Sequence, residues 1–188
     1  MGAMYISGGA VKRRRLRSVP GRDVRPTSGR VRQALFNVLR ELLHDAIFID
    51  LFAGTGSVGL EALSHGARQV YFVDNNPRAL QVLRANIGHC VMAERAMPMV
   101  GTLPQALGRL AVHVQADVLF LDPPYASDLG EQTLAAIGGS SLLAPQGVVI
   151  WQHAARRPAP ALMSGLTLWQ GRRYGNTQLS FYRSVARL

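Results

Sequence analysis

Between residues 47 and 151 short apolar runs of strand length alternate with stretches of helical period, and nothing else in this 188-residue chain narrows its fold so far. Residues 47–52 read as a buried strand, 58–65 as a helix closed by Gly66, 69–73 as a second strand, and 77–87 as a helix capped by Asn76 with Pro77 in its first position. The pattern continues with a weak strand at 97–100, a short helix at 103–110, a strand at 117–121, a helix at 129–137 and a strand at 147–151. Such alternation predicts an α/β fold whose sheet is mainly parallel and carries helices on both faces. Two more strand-like runs, 166–170 and 178–183, follow Pro158 and Pro160 and flank a turn at Tyr174, Gly175 and Asn176. The link between them is too short for a crossover helix, so they are expected to pair as an antiparallel hairpin at a sheet edge, bringing the sheet to seven strands.

Ahead of the alternating region, residues 1–26 are rich in Gly, Pro and Arg and predict an extended arm or small hairpin. Residues 27–188 are expected to form one domain around one core. That domain opens with an amphipathic helix in which Val31, Ala34, Leu35, Val38, Leu39, Leu42 and Leu43 face inward, Thr27 or Ser28 caps, and Arg30, Arg32 and Arg40 lie on the outer face. Charge follows the same division. Residues 1–40 carry ten Lys or Arg against Asp23 alone, residues 41–155 carry five Arg against ten acids, and residues 156–188 carry six Arg and no acid. A basic arm and a basic tail around an acidic middle point to a polyanionic partner at a place separate from any small-molecule site. A single cysteine, Cys90, leaves neither a disulfide framework nor a Cys-rich zinc site, and no run is long and apolar enough for a membrane helix. A cytoplasmic protein without membrane attachment is expected.

In an open parallel sheet, ligands bind beyond the carboxyl ends of the strands. The first such end runs Asp50-Leu51-Phe52-Ala53-Gly54-Thr55-Gly56, with Gly59 completing G-x-G-x-x-G at the start of a helix. Asp74 stands 20 residues after Gly54 at the end of the next strand, placed to grip a ribose diol. A nucleoside-containing ligand follows, and a nicotinamide enzyme fits these residues as well. Asp50 favours a ligand with cationic groups over a pyrophosphate. The other reading of this segment is a Gly-rich turn with a capping Asp. A further strand end carries Asp122-Pro123-Pro124-Tyr125. Consecutive prolines fix the backbone and remove two N–H donors, leaving a rigid set of acceptors suited to an exocyclic amine. Tyr125 offers a flat face on which a planar base could stack.

Together these segments resemble a class I S-adenosylmethionine-dependent methyltransferase with a Rossmann-like fold. Asp50 to Gly59 match its glycine motif, Asp74 its second acid, and Asp122 to Tyr125 the [DN]PP[YF] motif of enzymes that methylate planar amino groups. Arg25-Pro26-Thr27, Arg30-Val31-Arg32, Leu35-Phe36-Asn37, Tyr174-Gly175-Asn176-Thr177 and Ser180-Phe181-Tyr182 are further similar to the RsmD family of bacterial small-subunit ribosomal RNA guanine-N2 methyltransferases. The resemblance implies S-adenosylmethionine as methyl donor and 16S ribosomal RNA, or the assembling small subunit, as substrate for a monomeric enzyme that needs no metal. It implies donor contacts from Asp50, Phe52, Ala53, Gly54, Thr55, Gly56, Asp74 and Asn75. It places Asp122, Pro123, Pro124 and Tyr125 at the target base, and Lys12, Arg13, Arg14, Arg15, Arg17, Arg25 and Arg30 on RNA phosphates.

The chain departs from that pattern at Val100-Gly101-Thr102, where such enzymes place an acid or amide for the adenine, and at Gln152-His153, where many end the strand in an acid. Rival readings are a DNA adenine-N6 methyltransferase, a protein glutamine-N5 methyltransferase, a nicotinamide oxidoreductase, and a non-catalytic RNA-binding module with a degenerate donor pocket. There is little room for a DNA-recognition region, and the glutamine enzymes carry Asn where Asp122 stands and have no use for the basic arm. The oxidoreductase gives no role to Asp50 or the Pro-Pro-Tyr turn. His44, His65 and His89 read as solvated or dipole-paired groups at helix ends, Trp151 and Trp169 as core or sheet-edge packing, and Cys90 as a small buried hydrophobe.

Overall fold

A computed structural model describes residues 4–19, 29–124 and 127–185. The chain divides into two compact units, residues 1–100 and 101–188. The first begins with β1 (Met4–Tyr5) and β2 (Arg15–Leu16), paired antiparallel, followed by α1 (Gly29–Leu39) and a single 3-10 turn, Arg40–Leu42. Then come β3 (Ile47–Leu51), α2 (Ser57–Ser64), β4 (Gln69–Asp74), α3 (Pro77–Cys90) and β5 (Ala96–Val100). β4 lies between β3 and β5 and is parallel to both, with Ile47 opposite Gln69 and Val70 opposite Ala96. Asn76 caps α3 as its sequence signature requires: its side chain accepts the N–H groups of Arg78 and Ala79, and Pro77 follows.

The second unit contains α4 (Leu107–Ala111), β6 (Ala116–Leu121), α5 (Leu129–Gly138), β7 (Leu143–Ala154), β8 (Leu162–Met163), β9 (Leu166–Tyr174) and β10 (Thr177–Ser184). β6 and β7 are parallel, whereas β10 runs antiparallel to both β7 and β9. The architecture is thus α/β, with mainly parallel strands and an antiparallel hairpin at the edge. β8 is an additional short strand beyond the expected seven. Its two residues are too few to show alternation, and it forms because Ser164 and Gly165, with φ of 47° and 85°, turn the chain directly from Met163 to Leu166. α4 starts three residues after Pro104, later than expected: Leu103, ahead of the proline, is disfavoured in helical conformation, and residues 103–106 form turns.

Apolar burial follows the predicted pattern. Phe48, Ile49, Leu51, Val70, Phe72, Val118, Leu119, Phe120, Val149 and Ile150 are wholly or almost wholly buried. Cys90 and Trp151 are core residues, while Trp169 lies at the edge, 48% exposed. Arg32 differs from expectation: it is 4% exposed, not on the outer face, because Glu61 of α2 is completely buried and takes Arg32 as its counter-charge. Among the described residues no helix is long and apolar enough to cross a membrane.

Candidate active site and nucleic-acid contacts

β3 delivers Asp50 and the glycine loop to the start of α2. Phe52 has φ of 61°, an uncommon conformation for a bulky side chain that costs about 1–3 kcal/mol, so this loop carries backbone strain. The Ala53 N–H donates to the Val73 carbonyl at 3.0 Å, and the Gly56 N–H to the Ala53 carbonyl at 2.8 Å. Gly56 has φ of 81°, and a Cβ there would sit 2.2 Å from Leu83 Cδ1, so both conformation and space demand glycine. A Cβ on Gly59 would lie 2.3 Å from Phe72 Cε1; its absence lets α2 pack closely on β4.

Asp50 is 2% exposed, and its Oδ2 accepts the Gly59 N–H at 2.8 Å. The N-cap of α2 is Gly56, which has no side chain to offer, so the preceding strand supplies the capping carboxylate. Asp74 accepts the Gly54 N–H through Oδ2 and the Asn76 N–H through Oδ1, each at 2.8 Å. One carboxylate thereby fixes the glycine loop and the entry to α3, with Asn75 exposed between them. A carboxylate has about four lone-pair sites, so these bonds leave acceptor capacity at Asp74. A Cβ on Gly54 would meet nothing within 4 Å, and the space over the loop is open. Acceptors beside an open glycine backbone fit the diol and ammonium groups of a nucleoside-linked amino acid such as S-adenosylmethionine. Thr55 contributes its carbonyl to Asn86 Nδ2 at 3.0 Å.

In the second unit, β6 ends at Leu121 and the chain turns through Asp122, buried Pro123 and exposed Pro124. The Pro124 carbonyl accepts Ser127 N–H at 3.2 Å and Ser127 Oγ at 2.8 Å, which closes the turn. Tyr125 lies outside the described residues. A small pocket beside the turn is lined by Pro123, Pro124, Ser127, Trp151, His153 and Arg157 among others. Arg157 organises its wall. Its Nη1 donates to the Ser127 carbonyl at 2.7 Å, its Nη2 to Asp128 at 2.9 Å and its Nε to Glu131 at 3.1 Å, while the guanidinium lies 5.6 Å from the Trp151 ring centroid. His153 packs on Trp151, with its Nε2 2.8 Å from Ser180 Oγ and its Nδ1 3.0 Å from the Ala154 carbonyl. Burial, aided by the Arg157 charge, holds His153 below the ordinary histidine pKa.

The N-terminal hairpin is fastened to the first unit. Ile6 and Leu16 are buried at 1% and 3%, and Lys12, Arg13, Arg14, Arg15 and Arg17 are exposed around them. Glu61 accepts Ser7 N–H and Oγ, Gly8 N–H and Arg32 Nε, all within 3.0 Å, and lies 3.5 Å from His65. Burial alone would raise the Glu61 pKa; the bonds from His65 and Ser7 and the Arg32 charge outweigh it and leave the group below its ordinary value. His65 is not simply solvated at its helix end, since its ring also stacks on Phe36 with centroids 5.2 Å apart. Asn86, fully buried, pairs with both the N–H and the carbonyl of Arg17, at 2.8 and 3.1 Å. Arg30 is exposed on α1, and Arg25 lies outside the described residues.

A protein-family profile described as "Conserved hypothetical protein 95" matches residues 4–183. Ribosomal RNA small subunit methyltransferase D of Haemophilus influenzae is 30% identical over 158 residues, 84% of this chain and 82% of its own. The chain belongs to the RsmD family. Ribosomal RNA small subunit methyltransferase D of Escherichia coli is 26% identical over 98% of this chain and 92% of its own length. Among solved structures, the Escherichia coli protein yhhF, named provisionally as a methyltransferase, is 27% identical with a TM-score of 0.84, covering 99% of this chain and all of that one. A Thermus thermophilus protein of 29% identity gives a TM-score of 0.82 over 97% and 99% of the two chains. In this RsmD chain, Glu61, Asn86 and Arg157 are the residues that the sequence does not mark, and His153, noted there only as a departure at a strand end, proves to line the pocket. The partners of the first three are distant in sequence, and no spacing marks them.

Proposed function

We propose that this protein transfers the methyl group of S-adenosylmethionine to the exocyclic N2 of a guanine in small-subunit (16S) ribosomal RNA, on the free RNA or the assembling subunit, in the cytoplasm. The observation that carries the reading is a strand-end Asp-Pro-Pro turn in a chain that matches the RsmD family from end to end. The bound donor supplies an electrophilic methyl group. Asp74 and the Gly54–Gly56 backbone hold its ribose and amino acid portions, with Asp50, Phe52, Ala53 and Thr55 shaping the loop and Asn75 beside the adenine.

Guanine N2 is a weak nucleophile because its lone pair is delocalised into the ring, so orientation supplies much of the rate; reacting atoms must be held in line at about 3 Å. The Asp122 carboxylate and the Pro123 carbonyl accept the two N2 hydrogens and turn the lone pair toward the methyl carbon. When N2 takes the methyl carbon from the sulfonium sulfur, the Asp122 carboxylate would favour the positive charge on nitrogen, and one N2 proton would then pass to solvent. Tyr125 stacks on the base after it leaves its RNA stack. The arginines of the N-terminal hairpin and Arg30 meet phosphates.

The test is transfer of labelled methyl from S-adenosylmethionine to unmodified small ribosomal subunits, followed by nucleoside digestion and mass spectrometry. N2-methylguanosine as the labelled product is the expected result. Label on adenine or on protein, or donor binding without transfer, overturns the guanine-N2 reading.

A further inference from the structure

The 57 residues from 132 to the end contain no Asp or Glu and six Arg, and three of those arginines lie on the hairpin formed by β9 and β10. Arg172, Arg173 and Arg183 are exposed and have no acidic partner among the described residues. Each is held by something else. Arg183 stacks its guanidinium over Trp169, 3.7 Å from the ring centroid; Arg172 donates through Nε and Nη2 to the Gln170 amide oxygen at 3.2 Å; Arg173 donates to the Gly175 carbonyl at 3.0 Å.

Trp169 is set out deliberately. The β9–β10 register slips between Phe181 and Tyr182, so that Gln170 opposes Phe181, Leu168 opposes Tyr182, and Trp169 has no partner across the ladder. Bulges of this kind redirect a side chain. The indole makes an edge contact with buried Phe181 at 6.5 Å and remains 48% exposed. Charge that merely protected a sheet edge would need neither a bulge nor a guanidinium stacked on an aromatic ring.

The ladder also gives the patch its place. Leu121 pairs with Trp151, Trp151 with Ser180, and Ser180 with Gly171, so the residues just beyond Gly171 stand at the same end of the strands as Asp122. Three strand spacings, about 15 Å, separate them, a span of two or three nucleotides.

We infer that the β9–β10 hairpin is a second RNA surface, on which an unpaired base stacks against the Trp169–Arg183 pair while Arg172, on the same face as Gln170 and Arg183, holds a flanking phosphate. Stacking platforms joined to guanidinium groups without acidic partners fit single-stranded RNA better than duplex, whose bases are not open to stacking. The inference rests on an RNA substrate for the Asp122 turn, but its test needs no turnover.

Binding of a single-stranded RNA oligonucleotide, an RNA duplex and polyglutamate is measured for the full chain and its variants, with S-adenosylmethionine binding and thermal melting as controls. Replacing Arg172 and Arg183 together by Ala is expected to weaken single-strand binding about tenfold or more and to flatten its salt dependence by about one to two ions. Trp169→Ala should weaken the single strand about tenfold and leave the duplex nearly unchanged. Arg183→Lys should keep the salt slope and lose part of the single-strand affinity. Donor binding stays at the parental value in all of them. Single-strand affinity within twofold of the parent in both the double variant and Trp169→Ala overturns the inference. So does a loss of polyglutamate binding greater than the loss of RNA binding, which would mark an acidic protein as the partner. Absence of N2-methylguanosine in the transfer assay, with these binding losses intact, would refute the guanine reading and leave the RNA surface standing.

Discussion

A carboxylate that accepts an amino N–H loses its function once its side chain ends at Cβ, and on that ground Asp122→Ala should lower methyl transfer by about 10²- to 10³-fold while donor affinity stays near the parental value. Single-turnover transfer and donor titration check the two halves. Parental transfer by the variant would remove Asp122 from the mechanism. Gly59→Ala is a packing change instead: its methyl would press on Phe72 at 2.3 Å, and a loss of about 1–3 kcal/mol is expected in denaturant melts. The glycine loop and the Asp-Pro-Pro turn were legible because each is a contiguous run with a fixed offset to a strand end. Arg32 was not, since its helical position matches an outward face and only a buried Glu61, 29 residues away, draws it in. Trp169 was only half legible: the sequence placed it at an edge, but a one-residue slip in strand pairing leaves no mark on alternation.

At the scale of elements, one charged residue helps to anchor each of two segments: Glu61 the N-terminal hairpin, beside Asn86 and Ser64, and Arg157 the residues from Ser127 to Glu131. Glu61 has a folded pKa below its ordinary value, so the stability it lends is complete above the unfolded carboxylate pKa and is lost as pH falls through the folded value. The protection factors of Ser7 and Gly8, taken relative to the intrinsic exchange rate at each pH, should therefore fall as the solution is acidified below the ordinary carboxylate range. Glu61→Gln should destabilise by about 3 kcal/mol at neutral pH, because Arg32 keeps its burial and loses its counter-charge, and should flatten that acid response. Arg157 holds the Ser127 carbonyl in a setting where its bond to the largely exposed Asp128 contributes little. Arg157→Ala should raise KM for RNA several-fold with donor affinity unchanged, and Arg157→Lys should not restore it, since a lysine cannot span the same three acceptors. A KM at the parental value in Arg157→Ala would limit the residue to surface pairing. None of these clamps has a sequence signature, whereas the hairpin loop at Gly175-Asn176 shows its turn chemistry between two strand-like runs.

Over the whole molecule, charge is divided so that both ends of the chain are basic and the span between them is acidic. Replacing Arg13, Arg14 and Arg15 together by Ala should reduce the salt slope of RNA binding by roughly 2–3 and leave donor affinity alone; equal loss of both would make the arm a structural element. The alternation of strands and helices carried the fold class, and the charge distribution points to a polyanionic partner, but attachment of the arm lies beyond either. Ser7 and Glu61 are 54 residues apart, and this separation has a consequence for biosynthesis. During translation the hairpin leaves the ribosome well before Glu61, so its bonds to that carboxylate form only after α2 has followed it out. Through that interval a ribosome-bound nascent chain displays a cluster of unattached arginines beside ribosomal RNA. Once α2 emerges, Glu61 recovers the backbone of Ser7 and Gly8, and the guanidinium groups are left pointing outward.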